Sequence, residues 1–96
     1  EDIDVAAEMF TYPGPIPFSK ESAILMMADS VEAACRSLKS PNAESIEELI
    51  EGIISNQMEE GQFENADITL RDIRSIKKMF KKMVMNIYHV RIEYPH

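Results

Sequence analysis

The stretch Ala28-Asp29-Ser30-Val31-Glu32-Ala33-Ala34-Cys35-Arg36 places a carboxylate at Asp29, a second three residues on at Glu32 and a guanidinium seven residues on at Arg36. At about 100 degrees per residue these groups share one narrow stripe of a helix with Ser22. The other sides carry mostly apolar or small residues, so the stripe is expected to face protein or a cleft. A charge removed from water must be paired, hydrogen-bonded or bound to metal. Pattern alone favours an Asp29/Glu32/Arg36 ion cluster over a ligand role for Asp29, because structural networks also gather charges in this way.

Other chemistry-bearing residues are sparse. His89 and His96 are the only histidines, and no HExxH, glycine-rich phosphate loop or GxSxG is present. His89, beside Tyr88 and Arg91, reads as a surface or packing residue, and His96 is terminal. Cys35 is the only cysteine, which excludes an internal disulfide, a zinc ribbon and a CxxC redox pair. It reads as a small core residue, and a reducing compartment is expected.

The net charge of -7 argues against nucleic acid or an anionic membrane as a partner of the whole surface. Its distribution is uneven. Between Lys39 and Arg71 there are eight acidic residues and no basic one, whereas Arg71, Arg74, Lys77, Lys78, Lys81 and Lys82 hold six of the ten basic residues. A basic nucleic-acid face would interleave aromatics with these charges, but Phe80 belongs to an apolar stripe. The expected role of the basic face is to complement the acidic segment, and no nucleic acid polymer is expected.

Three helices must position these groups, giving an all-α fold. Residues 1–18 form an irregular arm, because Pro13, Pro15 and Pro17 fix φ and remove backbone donors. The first helix is predicted from Ser19, its N-cap, to Ser37 or Leu38, before Pro41. Its core face is expected at Ile24, Met27, Ala28, Val31, Cys35 and Leu38, with Met26 and Ala33 on a third side. The second helix is predicted over Ala43 to Glu60, capped by Asn42 and stopped by Gly61, burying Ile46, Leu49, Ile50, Ile53, Ile54 and Met58. The third is predicted from Leu70 to Tyr88 or beyond. Thr69 and Asp72 there resemble a capping box, and Leu70, Ile73, Ile76, Phe80, Met83, Val84 and Ile87 make the core face. Ninety-six residues support one modest core. No stretch reaches the roughly 20 apolar residues of a membrane span, so the chain is expected to be soluble, as a piece of something longer.

Several strings together resemble one family. They are Phe10-Thr11-Tyr12-Pro13-Gly14-Pro15 with Lys20-Glu21, the Asp29 segment from Ala28 to Leu38, Asp67-Ile68-Thr69-Leu70-Arg71-Asp72-Ile73, and the closing run from Ile87 to Pro95. The combination is similar to the C-terminal part of the HD domain in seven-transmembrane HD-domain phosphohydrolases, the PgpH-type cyclic-di-AMP phosphodiesterases. Residues 19–96 would then be the helical C-terminal portion of the HD domain, in the cytoplasmic part of an integral inner-membrane bacterial protein.

The resemblance implies a metal-dependent hydrolase that converts cyclic-di-AMP to a linear dinucleotide, using a divalent metal pair of iron or manganese. Asp29 matches the family's late metal-ligating aspartate, and Glu32 and Arg36 are expected beside the metal or toward substrate. The family's His-Asp pair and histidine ligands do not occur in this sequence, since residues 1–88 contain no histidine. The 96 residues alone are therefore expected to be inactive and to hold no metal. The expected partners are the remaining HD-domain helices, a cyclic dinucleotide and, where apolar faces are left uncovered, a second copy in a homodimer. The alternative is a non-catalytic helical dimerisation or protein-interaction module.

Overall fold

The computed structural model describes residues 16–90. Among them lie three helices, α1 (Lys20–Cys35), α2 (Ala43–Glu59) and α3 (Leu70–Ile87), and no strand. The all-α expectation holds. Residues 16–18 have no regular structure, as expected there, while the rest of the expected arm lies outside the described residues.

Local chemistry sets each boundary. The Ser19 hydroxyl accepts from the Ser22 amide at 3.1 Å, satisfying one of the free donors of the first turn of α1. At its other end the Ser37 hydroxyl donates to the Ala34 carbonyl oxygen at 2.7 Å, and the Ser37 and Leu38 amides close tight turns. That tightening ends α1 at Cys35, short of the predicted Ser37 or Leu38.

Both later helices start with reciprocal capping boxes. In α3 the Thr69 hydroxyl accepts from the Asp72 amide and the Asp72 carboxylate accepts from the Thr69 amide, each at 3.0 Å. In α2 Asn42 pairs in the same way with Ser45, a partner the spacing had not singled out.

The C-termini of α2 and α3 share one geometry. Gly61 lies at φ 74 and His89 at φ 57. The amide of Gln62 donates to the Gln57 carbonyl and that of Gly61 to Met58, while Val90 donates to Met85 and His89 to Asn86. Both are Schellman closures, in which a left-handed residue lets two amides reach back to free carbonyls. Glycine is the usual residue there, and α3 uses histidine instead.

The central helix α2 packs against both neighbours. Its Ile46, Leu49, Ile50, Ile53 and Ile54 are buried as predicted, whereas Met58 is 40% exposed and Gln57 takes the buried place beside it. On α1 the buried face is Ala23, Met26, Met27, Ser30, Val31, Ala34 and Cys35. The predicted face is therefore rotated, because Met26 enters the core while Ile24, Ala28 and Leu38 are only partly covered. On α3 the buried residues are Ile73, Ile76, Phe80, Val84 and Met85, and the predicted core residues Leu70, Met83 and Ile87 are exposed.

Candidate functional site

The rotation of α1 decides where its polar stripe points. With Ala23, Met27, Ser30 and Ala34 turned inward, Ser22, Asp29, Glu32 and Arg36 all lie on the exposed side. Leu25 shares that side and is 61% exposed. The stripe was expected to face protein or a cleft: among the described residues no protein covers it, and its Glu32 lines a groove.

Among the described residues a buried polar contact accompanies this orientation. The Gln57 side-chain amide donates to the Ser30 hydroxyl at 2.8 Å, linking α2 to α1 inside the core. Ser30 immediately follows Asp29, so its inward fixing turns the carboxylate away from the core by about 100 degrees. Sequence periodicity missed this pair, because neither residue counts as apolar and only the fold brings them together.

The expected three-membered ion cluster reduces to a pair. The Arg36 guanidinium donates twice to Glu32, from Nε to Oε2 at 2.6 Å and from Nη2 to Oε1 at 2.7 Å. This two-point contact raises the affinity of Arg36 for its proton, first through the hydrogen bond and then through the Glu32 charge. Both side chains are solvent-exposed, so the pair adds little to stability. Asp29 takes part in no ion pair or side-chain hydrogen bond among the described residues. Arg36 is thus committed to Glu32 and does not neutralise Asp29.

Next to the stripe runs an apolar groove of about 310 Å³ between α1 and α3. Ala28, Val31, Glu32 and Cys35 line one side, and Phe80, Met83, Val84, Ile87 and Tyr88 the other. The Tyr88 hydroxyl donates to the Cys35 carbonyl oxygen at 3.2 Å and joins the two walls at one end. Cys35 is buried, and desolvation followed by the nearby Glu32 charge pushes its thiol up. Its expected place as a small core residue is borne out.

The basic face of α3 meets acidic residues of α2, as expected. Lys77 and Lys81 donate to the two carboxylate oxygens of Glu51 at 2.9 and 2.6 Å, and Lys81 also lies 4.0 Å from Glu47. His89 is exposed at the end of α3, and His96 lies outside the described residues.

Among the described residues no three His, Cys, Asp or Glu side chains come together to hold an ion. One outward carboxylate does not retain a divalent pair against water. No described helix is long and apolar enough to cross a membrane.

Comparison with known proteins places this geometry. No protein-family model matches the chain. It is 50% identical over 91 residues to the cyclic-di-AMP phosphodiesterase PgpH of Bacillus subtilis and 44% identical over 92 residues to that of Listeria monocytogenes. The alignments cover 95% and 96% of this chain but only 13% of each relative, so the chain spans a small part of their length. An uncharacterized Synechocystis protein is 35% identical over 91 residues, 11% of its length. Among solved structures, the HD domain of L. monocytogenes PgpH in complex with cyclic-di-AMP superimposes with a TM-score of 0.78 at 44% identity. That match takes in 86% of this chain and 39% of the other. With sequence and helical fold agreeing along almost all of its length, the chain is a homologue of the PgpH proteins and corresponds to a part of their HD domain.

Proposed function

We propose that this chain is the C-terminal helical portion of the HD domain of a metal-dependent phosphodiesterase that hydrolyses cyclic-di-AMP to the linear dinucleotide. The observation that carries the reading is the combined match in sequence and fold to an HD domain solved with cyclic-di-AMP. In the whole protein Asp29 supplies one carboxylate to a divalent metal pair of iron or manganese. The other ligands, including the histidines, come from the rest of the domain. Glu32 and Arg36 lie on the same exposed stripe and serve beside the metal or toward the substrate. The domain sits on the cytoplasmic side of an integral membrane protein, and the 96 residues alone are inactive.

The test is to express the chain together with the rest of its HD domain and follow cyclic-di-AMP hydrolysis with manganese. Wild-type turnover and loss of at least about a hundred-fold on Asp29→Ala are expected, as for groups that act at a reacting centre. Unchanged turnover in the variant removes Asp29 from the site.

A second reading, a helical dimerisation or interaction module without catalysis, draws on the exposed apolar residues of α3. It requires concentration-dependent association of the 96-residue chain, measurable by light scattering. A folded monomer at all concentrations contradicts it.

A further inference from the structure

The surface shared by α2 and α3 carries two rows of opposite charge. Arg71, Arg74, Lys78 and Lys82 recur at three- and four-residue spacing and form one exposed stripe along α3. Beside it, α2 exposes Glu44, Glu47 and Glu48. Only the inner residues of the two rows meet within the chain: Lys77 and Lys81 share Glu51, and Lys81 lies 4.0 Å from Glu47. Among the described residues the cations of the outer stripe make no ion pair, and neither do Glu44 and Glu48. The same face has an apolar end, where Met58 and Leu70, 40% and 69% exposed, line a groove of about 400 Å³ between the two helices.

We propose that this face binds the same face of a second copy, about a two-fold axis parallel to the helices, so that α2 of each copy lies over α3 of the other. It is independent of the catalytic reading and uses a different surface from the exposed Met83 and Ile87. Charge selects the occupant, because the complement of each row is present in the chain itself, on the neighbouring helix. Symmetry then selects the axis. A two-fold in the contact plane but across the helices would stack α2 on α2 and α3 on α3, setting like charges together, whereas one along the helices crosses the rows. It also preserves level along that direction. The contacts of Glu51 with Lys77 and Lys81, and of Glu47 with Lys81, make α2 and α3 antiparallel, with the start of α2 level with the end of α3. Glu44 and Glu48 of one copy therefore come level with Lys82 and Lys78 of the other, and Met58 with Leu70. Each exposed ion pair contributes little alone, but the two-fold repeats every pair, and the apolar side chains close one end. Two chains of charge -7 repel at long range, and at physiological salt that repulsion is screened beyond about 8 Å while facing side chains stay within reach.

Charge reversal at one level tests the assignment without reference to turnover. Sedimentation equilibrium is measured for the 96-residue chain and for the chain joined to the rest of its HD domain, each as wild type, Lys78→Glu, Glu48→Lys and an equimolar mixture of the two variants. Wild type is expected to dimerise. Each variant alone is expected to associate at least roughly ten-fold more weakly, because like charges then face each other twice in the dimer. The mixture is expected to regain the wild-type affinity, since every facing pair is again of opposite sign, a recovery that misfolded variants would not show. Ile87→Glu, in the groove between α1 and α3, is expected to leave association of the 96-residue chain unchanged. A wild type that stays monomeric, a mixture that fails to recover or species larger than a dimer overturn the proposal. So does association lost in Ile87→Glu but kept in both reversals, which moves the contact to the other groove. Dimerisation of the short chain that disappears in the extended one overturns it as well, since the face is then covered within the domain.

Discussion

Gln57 donates its side-chain amide to the Ser30 hydroxyl across 27 residues of sequence, at 2.8 Å, inside an otherwise apolar seam between α1 and α2. Both residues are buried, at 3% and 4% exposure, and the Gln57 carbonyl oxygen Oε1 has no partner among the described residues. The contact therefore fixes the rotation of α1 more than it adds stability, because a half-satisfied buried amide offsets its own hydrogen bond.

A double-mutant cycle separates these effects. Ser30→Ala strands the amide entirely and is expected to cost about 1 to 2 kcal/mol in chemical denaturation. Gln57→Met removes the orphaned oxygen with nearly the same volume and is expected to lie within about 1 kcal/mol of wild type. The double variant is expected to be more stable than Ser30→Ala alone. Additive losses would show that the pair is not coupled.

His89 occupies the left-handed position that closes α3, where Gly61 serves the same role for α2. A side chain there carries a steric cost that glycine avoids. His89→Gly is expected to raise stability by about 0.5 to 1 kcal/mol, seen as a higher urea midpoint with an unchanged slope. A lower midpoint would mean that the imidazole makes a compensating contact.

Glu51 receives hydrogen bonds from Lys81 and Lys77, and these hold its carboxyl below the ordinary value of 4.5. A depressed folded value stabilises the protein above the unfolded pKa and loses that contribution as pH falls through the folded one. Denaturation midpoints are therefore expected to fall below about pH 4 and to be flat from pH 5 to 7 as far as this group is concerned. Glu51→Gln should flatten part of the acid limb. At neutral pH it should cost no more than about 1 kcal/mol, because Glu51 is 42% exposed and screened. An unchanged acid limb would remove Glu51 from the pH dependence.

Much of this architecture was legible in the residues. The Ser19, Asn42 and Thr69 caps, the Gly61 stop and the isoleucine stripe of α2 are local signals, and each is found where the spacing put it. The phase of α1 was not legible. That helix is apolar or small on so many sides that no single face dominates, and its one inward hydroxyl, Ser30, finds its partner only through the tertiary fold. On α3 the apolar pattern over-predicted burial, because periodicity reports which residues are apolar and not what stands opposite them. Met83 and Ile87 satisfy the pattern and face an open groove.

The candidate site was legible in a different sense. Asp29 stood out by resemblance to a family motif, while spacing alone favoured a salt-bridge cluster, of which only the Glu32–Arg36 pair forms. A metal centre assembled from distant segments, as proposed for Asp29, would leave few of its ligands in any one stretch, and no local rule distinguishes such a ligand from an ordinary surface carboxylate.

The role of Asp29 is tested most directly by manganese binding to the chain joined to the rest of its HD domain, measured by calorimetry for wild type and Asp29→Asn. Removing a direct ligand is expected to weaken the affinity at least as much as the roughly ten- to hundred-fold loss seen for outer partners, with the thermal stability of the metal-free domain unchanged. Equal manganese affinity in the two proteins would contradict the account.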